Sequence, residues 1–329
     1  MKLSIVIICW NDLKVIGDCL SSIYRQTKKI DFEVIVSDNG STDGSLEFIR
    51  REYPLVRLVE NGANLGFARG NNAGIHVSAG EYILILNPDT IICDNALELL
   101  VQFADNHPAA GAFGCRVLNP DGTYQGPARP FPTIWRSWIA ALYLRPLALV
   151  SDKFVSDTYT GWKGNTERTI DWQSGCCVMF RGALLKSLEG FDEQFFYHFE
   201  EVDLCRRVWE SGNTIVYTPE AAIIHLGGQS VNRFPIRFEL ERYRSRYRYF
   251  FKHFGARGAQ RCRRAVLANI RVRQIGYGFV SLLSPDESLK QRLEMYRVSA
   301  KWNRNLDPVR FVEMGEEPDF GEPAVPQTP

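Results

Sequence analysis

No stretch of the 329-residue sequence offers the uninterrupted apolar run of roughly 20 residues that a membrane-spanning helix requires. The longest candidate, residues 134–150, is broken by Arg136, Arg145 and Pro146. The apolar start of the chain is too short for a signal sequence, and no small-residue cleavage pattern follows it. We therefore expect a protein that can touch a bilayer without crossing it.

Two familiar phosphate-binding motifs are also missing. No Gly-x-Gly-x-x-Gly follows the first apolar run, and the chain has no Gly-x-x-x-x-Gly-Lys-Ser/Thr. If the protein binds a nucleotide, we expect carboxylates and a metal ion to hold it. The eight cysteines contain no Cys-x-x-Cys pair and are diluted in a long chain, which favours reduced thiols in a cytosolic protein. The net charge of +1 indicates no particular partner.

What the sequence does contain is an alternation of short apolar runs with amphipathic segments. Such alternation is typical of βαβ units and a mostly parallel sheet, so we predict an α/β fold with helices flanking a central, Rossmann-like sheet. The predicted strands are residues 3–9, 32–38, 56–59, 82–86, 112–118, 172–180, 215–217 and 221–225. Helices are expected between them, including one that begins near residue 200.

The apolar run at 82–86 is the central strand of this prediction, and it ends at Asn87-Pro88-Asp89. Ligands of open α/β sheets bind outside the carboxyl ends of the strands, so Asp89 lies where a ligand or a metal is expected. Asp38 ends the second strand in the same way. For both aspartates, capping of the following helix is the competing interpretation.

Two stretches are predicted to be irregular. Residues 61–72 form a polar loop with three glycines, and the even spacing of these glycines is not typical of helix packing in so polar a segment. The stretch after the strand at 112–118, as far as residue 171, is an aromatic-rich insertion. Its aromatic side chains serve packing or, in the alternative interpretation, bind an acceptor.

Residues 233–273 are rich in arginine and aromatic side chains and carry only two acids, Glu239 and Glu241. We expect a helical region whose aromatic face packs on a core or whose charges adsorb to an anionic membrane surface. Nucleic acid would use the same charges, but no groove-reading or RNA-binding motif accompanies them, so no nucleic-acid partner is expected. The tail at 313–329, rich in Glu, Pro and Gly, is predicted to be disordered.

Several short motifs follow one another in a fixed order. They are Ser4-Ile5-Val6-Ile7 with Trp10-Asn11, Val36-Ser37-Asp38-Asn39-Gly40-Ser41-Thr42-Asp43-Gly44, Asn64-Leu65-Gly66-Phe67-Ala68-Arg69-Gly70-Asn71-Asn72, Leu86-Asn87-Pro88-Asp89, Ser174-Gly175, Gly190-Phe191-Asp192-Glu193, Glu200-Glu201-Val202-Asp203-Leu204-Cys205-Arg206-Arg207 and His225. In this order they resemble the inverting nucleotide-sugar glycosyltransferases of family 2, which have the GT-A fold, and most closely the rhamnosyltransferase-like members. The resemblance runs from about residue 3 to residue 230.

The resemblance implies a nucleotide-sugar site with a divalent metal. Asp38 would accept the imide N–H of uracil or thymine, because a carboxylate can only accept. The other residues expected around base and ribose are Trp10, Asn11, Asn64, Gly66 and Arg69. Asn87 and Asp89 would hold the diphosphate, and Asp89 with His225 would bind Mg²⁺ or Mn²⁺ through hard or borderline ligands. Asn87 replaces an acid of the family motif, and a buried structural imidazole is the alternative for His225.

The resemblance also implies the catalytic base. Inversion requires a base on the side of the incoming hydroxyl, and that role falls to Glu201. Many relatives have Asp at this position, which leaves Glu200 or Asp203 as fallback bases; Asp203 is otherwise expected to orient the loop and acceptor. The residues expected to contact the acceptor are Trp172, Gly175, Glu200 and Arg206. The purely structural interpretation is an N-terminal acid cluster paired with Arg206.

We therefore predict a GT-A domain over residues 1–230, with nucleotide binding in about 1–110 and acceptor binding and catalysis in about 111–230, then a basic helical region at 231–312. The predicted activity is transfer of a sugar with inversion, foremost rhamnose from dTDP-rhamnose, to a cell-surface polysaccharide or lipid-linked precursor by a cytoplasmic, membrane-peripheral enzyme. The alternatives are another UDP- or dTDP-sugar (hexose, N-acetylhexosamine or galactofuranose), a non-catalytic nucleotide-sugar binder and a nucleic-acid-binding protein.

Overall fold

The chain divides into two compact units. A computed structural model describes residues 1–151, 154, 155, 157–159, 161–227, 235–283 and 287–318. The first unit comprises residues 1–131 and 157–233, and the second comprises 132–156 and 234–329. The sequence-based boundary assigned residues 132–156 to the first domain, whereas their contacts are with the C-terminal helices. The predictions for residues 231–234 and 319–329 lie outside the described part of the chain.

The first unit is built on a large mixed sheet. The strands, in chain order, are β1 (Leu3–Cys9), β2 (Phe32–Asp38), β3 (Arg57–Glu60), β4 (Tyr82–Leu86), β5 (Thr90–Ile92), β6 (Ala110–Leu118), β7 (Ala128–Arg129), β8 (Arg168–Thr169), β9 (Trp172–Gln173), β10 (Cys177–Arg181) and β11 (Thr214–His225). The main sheet runs β3-β2-β1-β4-β10-β6-β11-β5, with β8 paired to β11, and β7 pairs with β9 separately. The first four strands in this order are parallel, and β10 is antiparallel to both of its neighbours.

Helices cover the sheet and form most of the second unit. They are α1 (Leu13–Gln26), α2 (Ser45–Glu52), α3 (Gly66–Val77), α4 (Ala96–Asp105), α5 (Ile134–Ala141), α6 (Gly182–Ser187), α7 (Glu200–Glu210), α8 (Pro235–Leu283), α9 (Glu287–Asn305) and α10 (Pro308–Met314). Within the described residues, no helix is both long and apolar enough to cross a membrane. Because α10 extends to Met314, the predicted disorder does not begin at residue 313.

The central strand is β4, as predicted. All five of its residues are buried, because helices or loops cover both faces of an apolar strand that has no polar side. It pairs in parallel with β1, and β1 pairs in parallel with β2. Cys9 is opposite Asp38 in this register, and Ile7 is opposite Leu86, so the carboxyl ends of the three strands lie together at one edge of the sheet.

The glycine-rich stretch predicted to be a loop is helical from Gly66 onward. The prediction was wrong because these glycines serve close packing of α3 on the sheet. A Cβ on Gly70 would lie 2.4 Å from the Cδ1 atom of Ile8, and a Cβ on Gly74 would lie 2.5 Å from the Cγ1 atom of Val6. Gly70 and Gly74 therefore lie on the face of α3 that approaches β1.

Two further predictions differ from the structure in detail, and one short strand was not predicted. The strand predicted at 172–180 is interrupted at 174–176, so that β9 and β10 belong to different sheets. The two strands predicted at 215–217 and 221–225 are one strand, β11, with an irregularity between Thr218 and Ala222. The three-residue strand β5 is too short to produce a sequence signal.

The second unit has an aromatic core of its own. In the first half of α8, the side chains of Tyr243, Tyr247, Tyr249 and Phe250 are buried. The ring of Tyr247 stacks on Trp302 of α9, with 6.4 Å between centroids. Gly255, with φ +67° and ψ −174°, interrupts the helical backbone of α8 and separates this aromatic half from the second half. The packing interpretation of the aromatic residues is therefore correct for residues 243–250.

Candidate active site

The site lies at the carboxyl edge of β1, β2 and β4, in the first unit. Asp38 ends β2 and is almost completely buried. Its Oδ2 atom accepts hydrogen bonds from the backbone N–H groups of Gly40 and Ser41, both at 2.9 Å. Its Oδ1 atom is buried and has no hydrogen-bond partner within the described part of the chain. Asp38 thus holds its own turn with one oxygen and leaves the other available for a ligand that donates.

Asn11 links the β1–α1 turn to the β2–α2 turn. Its backbone N–H donates to Ser41 Oγ at 2.9 Å, and its Oδ1 accepts from the backbone N–H of Thr42 at 2.7 Å. Asn11 has a left-handed φ of +57°, which asparagine tolerates better than most residues. The neighbouring Trp10 is held by a hydrogen bond from its backbone N–H to Asp12 Oδ2. Both predicted residues therefore border the turn that contains Asp38.

The start of α3 docks on the turn that precedes α7. Asn64 Oδ1 accepts from the backbone N–H of Gly66 at 3.0 Å. Gly66 has φ +81°, and a Cβ there would lie 2.5 Å from the carbonyl oxygen of Phe196, so only glycine fits. Arg69, by contrast, forms a half-exposed ion pair with Glu193, 3.3 Å between Nε and Oε2.

Asp89 and His225 meet because β11 pairs with β5, which puts His225 opposite Thr90. The Oδ1 atom of Asp89 lies 3.2 Å from Nε2 of His225, and the Nδ2 atom of Asn87 lies 3.4 Å from the same nitrogen. Asp89 is followed by a strand and not by a helix, so it does not serve as the helix cap proposed as its alternative.

Gln125 fixes the orientation of the His225 ring. Its Oε1 lies 2.8 Å from Nδ1 of His225, and its Nε2 donates to Asn119 Oδ1 and to the His225 carbonyl. The amide oxygen therefore faces Nδ1, which must donate, and a neutral ring then turns an unprotonated Nε2 toward Asp89. An acceptor nitrogen held by a second residue in this way is the arrangement that proteins use for metal-ligating histidines.

This pair fits a divalent cation. Two ligands at right angles and about 2.1 Å from an octahedral ion lie roughly 3.0 Å apart, close to the separation of the Asp89 and His225 atoms. No group of three or more His, Cys, Asp or Glu side chains among the described residues could hold a metal. A metal here would therefore take two protein ligands, and the other positions would be open to phosphate oxygens and water.

The second wall of the site is the start of α7. His198 and Phe199 both have left-handed φ values, +66° and +69°, and α7 begins directly after this bend with Glu200 and Glu201. The Oε2 atom of each glutamate is buried without a hydrogen-bond partner within the described part of the chain. Burial raises the pKa of Glu201 to about 7. Burial, followed by the charge of Glu201, raises the pKa of Glu200 well above its usual range.

Cys176 and Tyr197 connect the two walls. Burial raises the pKa of the Tyr197 hydroxyl, and the charges of Glu200, Glu201 and Asp89 raise it further. The pKa of the Cys176 thiol is raised to about 12, mainly by burial, and it also responds to both Asp89 and Glu201. The carbonyl of Cys176 accepts from the backbone N–H of Asn87 at 3.0 Å. Asp89 and Glu201 are therefore within electrostatic reach of the same two side chains.

Gly175 and Trp172 lie on the Glu201 side. A Cβ on Gly175 would lie 3.7 Å from the Cβ of Glu201. The indole N–H of Trp172 donates to the carbonyl of Pro130, and the guanidinium of Arg129 lies 5.8 Å from the indole ring. Arg129 also lowers the pKa of Glu201 by its charge, although burial is the larger effect.

Asp203, on the same helix, is held by an ion pair. It is fully buried, and its Oδ2 accepts from Nε of Arg207 at 2.8 Å. Arg207 also donates to the carbonyls of Leu188 and Gly190, both at 2.7 Å, and so fastens α7 to the preceding turn. Arg206 forms an ion pair with Glu210, 3.1 Å between Nε and Oε1, and the arginine that pairs with Asp203 is its neighbour Arg207.

Comparison with known proteins now decides the family. The model of glycosyl transferase family 2 matches residues 4–181, which is more than half of the chain. The chain belongs to glycosyl transferase family 2. In this family 2 protein, the matched segment contains Asp38 and Asp89, whereas Glu201 and His225 lie beyond it.

Relatives of this family 2 glycosyltransferase agree with the fold. The chain is 31% identical over 239 residues to N-acetylglucosaminyl-diphospho-decaprenol L-rhamnosyltransferase of Mycobacterium tuberculosis, covering 69% of this chain and 77% of that protein. The structure of this chain is similar to the mannosyltransferase PcManGT from Pyrobaculum calidifontis in complex with GDP-Man and Mn²⁺ (TM-score 0.55, 17% identity, covering 92% of this chain and 88% of that chain). The structure of this chain is also similar to S. aureus TarS 1–349 in complex with UDP-GlcNAc (TM-score 0.52, 18% identity, covering 92% of this chain and 81% of that chain). These likenesses confirm the predicted GT-A fold.

Proposed function

We propose that this protein transfers a sugar, with inversion, from a nucleoside diphosphate sugar to an acceptor hydroxyl, and that Glu201 is the base. One set of observations on the Glu201 carboxyl carries the proposal. Its pKa is raised to about 7, and its Oε2 atom is buried without a hydrogen-bond partner within the described part of the chain. Its charge acts on Cys176 and Tyr197, and the charge of Asp89 acts on the same two side chains. A base is most effective when its pKa lies near the operating pH.

In the proposed reaction, the acceptor hydroxyl passes its proton to Glu201 and its oxygen forms a bond to the anomeric carbon. The bond from that carbon to the diphosphate breaks on the opposite face, and the nucleoside diphosphate leaves with the electron pair. Asp89 and His225 would hold Mg²⁺ or Mn²⁺, which would neutralise charge on the leaving diphosphate. Asn87 contributes an amide and no charge, so of these two residues Asp89 alone would bring a carboxylate to the diphosphate.

The proposed nucleobase is uracil or thymine. The free Oδ1 of Asp38 is an acceptor at the end of β2, and the imide N–H of a pyrimidine dione is the matching donor. Asn11 and Trp10 border this turn, and Asn64 shapes the start of α3. Arg69 is placed to reach ribose or phosphate only after release of its exposed ion pair with Glu193.

The proposed acceptor site is the Glu201 side, around Gly175, Trp172 and Glu200. Asp203 is assigned a positioning role through Arg207 and not a role as base, and Arg206 a role at the rim. The relative from Mycobacterium tuberculosis is named for rhamnosyl transfer to N-acetylglucosaminyl-diphospho-decaprenol. By that likeness, we propose dTDP-rhamnose as donor and a lipid-linked or polysaccharide precursor as acceptor, at the cytoplasmic face of a membrane.

A donor panel tests this proposal. The full chain, with Mg²⁺ or Mn²⁺, is titrated with dTDP-rhamnose, UDP-glucose, UDP-N-acetylglucosamine, UDP-galactofuranose and GDP-mannose, and transfer to an N-acetylglucosaminyl polyprenyl diphosphate, which offers sugar hydroxyls, is followed by mass spectrometry. We expect the dTDP or UDP donors to bind, and one of them to be consumed. Preference for GDP-mannose would contradict the role of Asp38, and binding without transfer from any donor would favour a non-catalytic binder.

A further inference from the structure

The arginines of α8 fall into two groups with different surroundings. Those of the first half are used inside the second unit: Arg242 pairs with Glu239, and Arg244 pairs with Glu241. The guanidinium of Arg248 lies 4.6 Å from the ring centroid of Phe311. Except for the exposed Arg237, the charges of this first group are therefore balanced or packed.

The second half of α8 carries arginines that are turned to solvent. We call Arg257, Arg261, Arg264 and Arg271 the basic stripe. Their spacings of four, three and seven residues put all four on one helix face. All four are exposed, and none has an ion-pair or hydrogen-bond partner within the described part of the chain. The stripe is therefore a row of uncompensated positive charge.

The same helix face continues into exposed apolar side chains. Ile275 and Phe279 follow Arg271 at four-residue steps and are 67% and 64% exposed. Val272 and Val280 beside them are 37% and 44% exposed. Large apolar side chains in contact with water are costly, and several together mark a contact site. From Arg257 to Phe279 this face is roughly 33 Å long at 1.5 Å per residue.

A groove opens between α8 and α9 at the junction of the two chemistries. Its volume is about 530 Å³. Arg271 and Arg304 supply positive charge to its lining, and Leu267, Ile270 and Ile275 supply apolar surface. A phosphate with the first part of an acyl chain has the matching chemistry, because the guanidinium groups bind phosphate and the aliphatic side chains bind hydrocarbon.

We propose that the basic stripe, Ile275 and Phe279 form a docking face for an anionic phospholipid bilayer. The arginines lie against headgroup phosphates, and the two apolar side chains enter the boundary between headgroups and acyl chains. This docking face would contact lipid in addition to the lipid-linked acceptor proposed above. The inference does not rest on that acceptor, since its evidence comes from residues of the second unit alone. The apolar end distinguishes a bilayer from nucleic acid, which would leave Ile275 and Phe279 in water.

Vesicle co-sedimentation of the full chain tests the charge half of the proposal. Phosphatidylcholine vesicles with phosphatidylglycerol should bind the protein, and vesicles of phosphatidylcholine alone should bind it far less. Each basic residue near an anionic surface contributes roughly a five-fold factor in partitioning. Replacing Arg257, Arg261 and Arg264 by Gln should therefore weaken binding roughly 100-fold. The matched control replaces Lys14, Lys29 and Lys163, which are exposed elsewhere, by Gln and should bind like the unchanged protein.

A second pair of variants tests the apolar half. Ile275→Ser with Phe279→Ser should reduce vesicle binding at high salt, where charge is screened, while Leu55→Ser with Val150→Ser should not. Leu55 and Val150 are 85% and 86% exposed, so the control removes as much exposed apolar surface. Circular dichroism confirms that each variant is folded.

Equal losses in test and control variants, no preference for anionic vesicles, or tighter binding to duplex DNA or RNA than to vesicles would each overturn the proposal. Turnover with a water-soluble acceptor should be unchanged in all variants, which separates this inference from the proposed reaction.

Discussion

At the scale of single residues, the side chain that matters most is Glu201. Its ordinary pKa is 4.5, and burial raises the pKa to about 7. Glu200, next to it, is also buried with a raised pKa. Burial therefore disfavours the charged forms of these two neighbouring carboxyl groups. Two adjacent buried carboxyls cost stability, and a function that needs a proton acceptor near neutral pH accounts for that cost.

The pH dependence of transfer follows from this pKa. Because a base must be deprotonated, Glu201 is inactive below about pH 7 and active above it. We expect the single-turnover rate to fall about tenfold per pH unit below the midpoint and to level off above it. A rate that is constant between pH 5.5 and 8 would contradict the assignment.

Gln125 offers a test of the metal site that leaves both ligands in place. Gln125→Leu removes the acceptor at Nδ1 of His225, so the ring is no longer held with Nε2 toward Asp89. Loss of such a supporting residue typically lowers metal affinity about 10- to 100-fold. Titration with Mn²⁺ followed by electron paramagnetic resonance measures it. Gln102→Leu, an exposed change on α4, is the control. Unchanged Mn²⁺ affinity in the Gln125 variant would contradict this site.

At the scale of elements, the position of α7 depends on Arg207. Its guanidinium contacts Asp203 and the carbonyls of Leu188 and Gly190, so one side chain fastens the helix to the preceding turn. Glu201 lies at the start of the same helix. We infer that the position of Glu201, the proposed base, depends on this ion pair, whose two residues are assigned no step of the proposed reaction.

Neighbouring arginines of α7 provide a matched pair of substitutions. Arg207→Gln removes the guanidinium that pairs with the buried Asp203 carboxylate, which costs roughly 3–5 kcal/mol. Arg206→Gln breaks a surface pair with Glu210 and should cost less than about 1 kcal/mol. Equilibrium unfolding in urea measures both values. Similar losses for the two variants would show that Arg207 does not anchor the helix.

The elements also show what the sequence could predict. β1, β2 and β4 were predicted closely because each is a continuous apolar run, and a strand buried on both faces produces that pattern. The start of α3 was missed because Gly70 and Gly74 lower helix propensity, while their role is to let the helix approach β1. Here tertiary packing overrides the local preference.

At the scale of the whole molecule, the site joins residues that are far apart in sequence. Asp38 was predictable as a site candidate because it ends a strand, and Asp89 because it follows one at the same edge of the sheet, while the candidates at 200 and 201 were implied by the family resemblance. Gln125, Arg129 and Tyr197 were not predicted. Each acts through a contact that only the fold creates, Gln125 across 100 residues to His225, and no local pattern announces such a contact.

The most direct test of the account is Glu201→Gln in the full chain, with transfer and donor binding measured separately. Glu210→Gln, an exposed change on the same helix, is the control. The account predicts that the Glu201 variant binds the nucleotide sugar as the unchanged protein does and transfers the sugar about 10²- to 10⁴-fold more slowly. A Glu201 variant that transfers at the rate of the Glu210 control would contradict the assignment of Glu201 as the base.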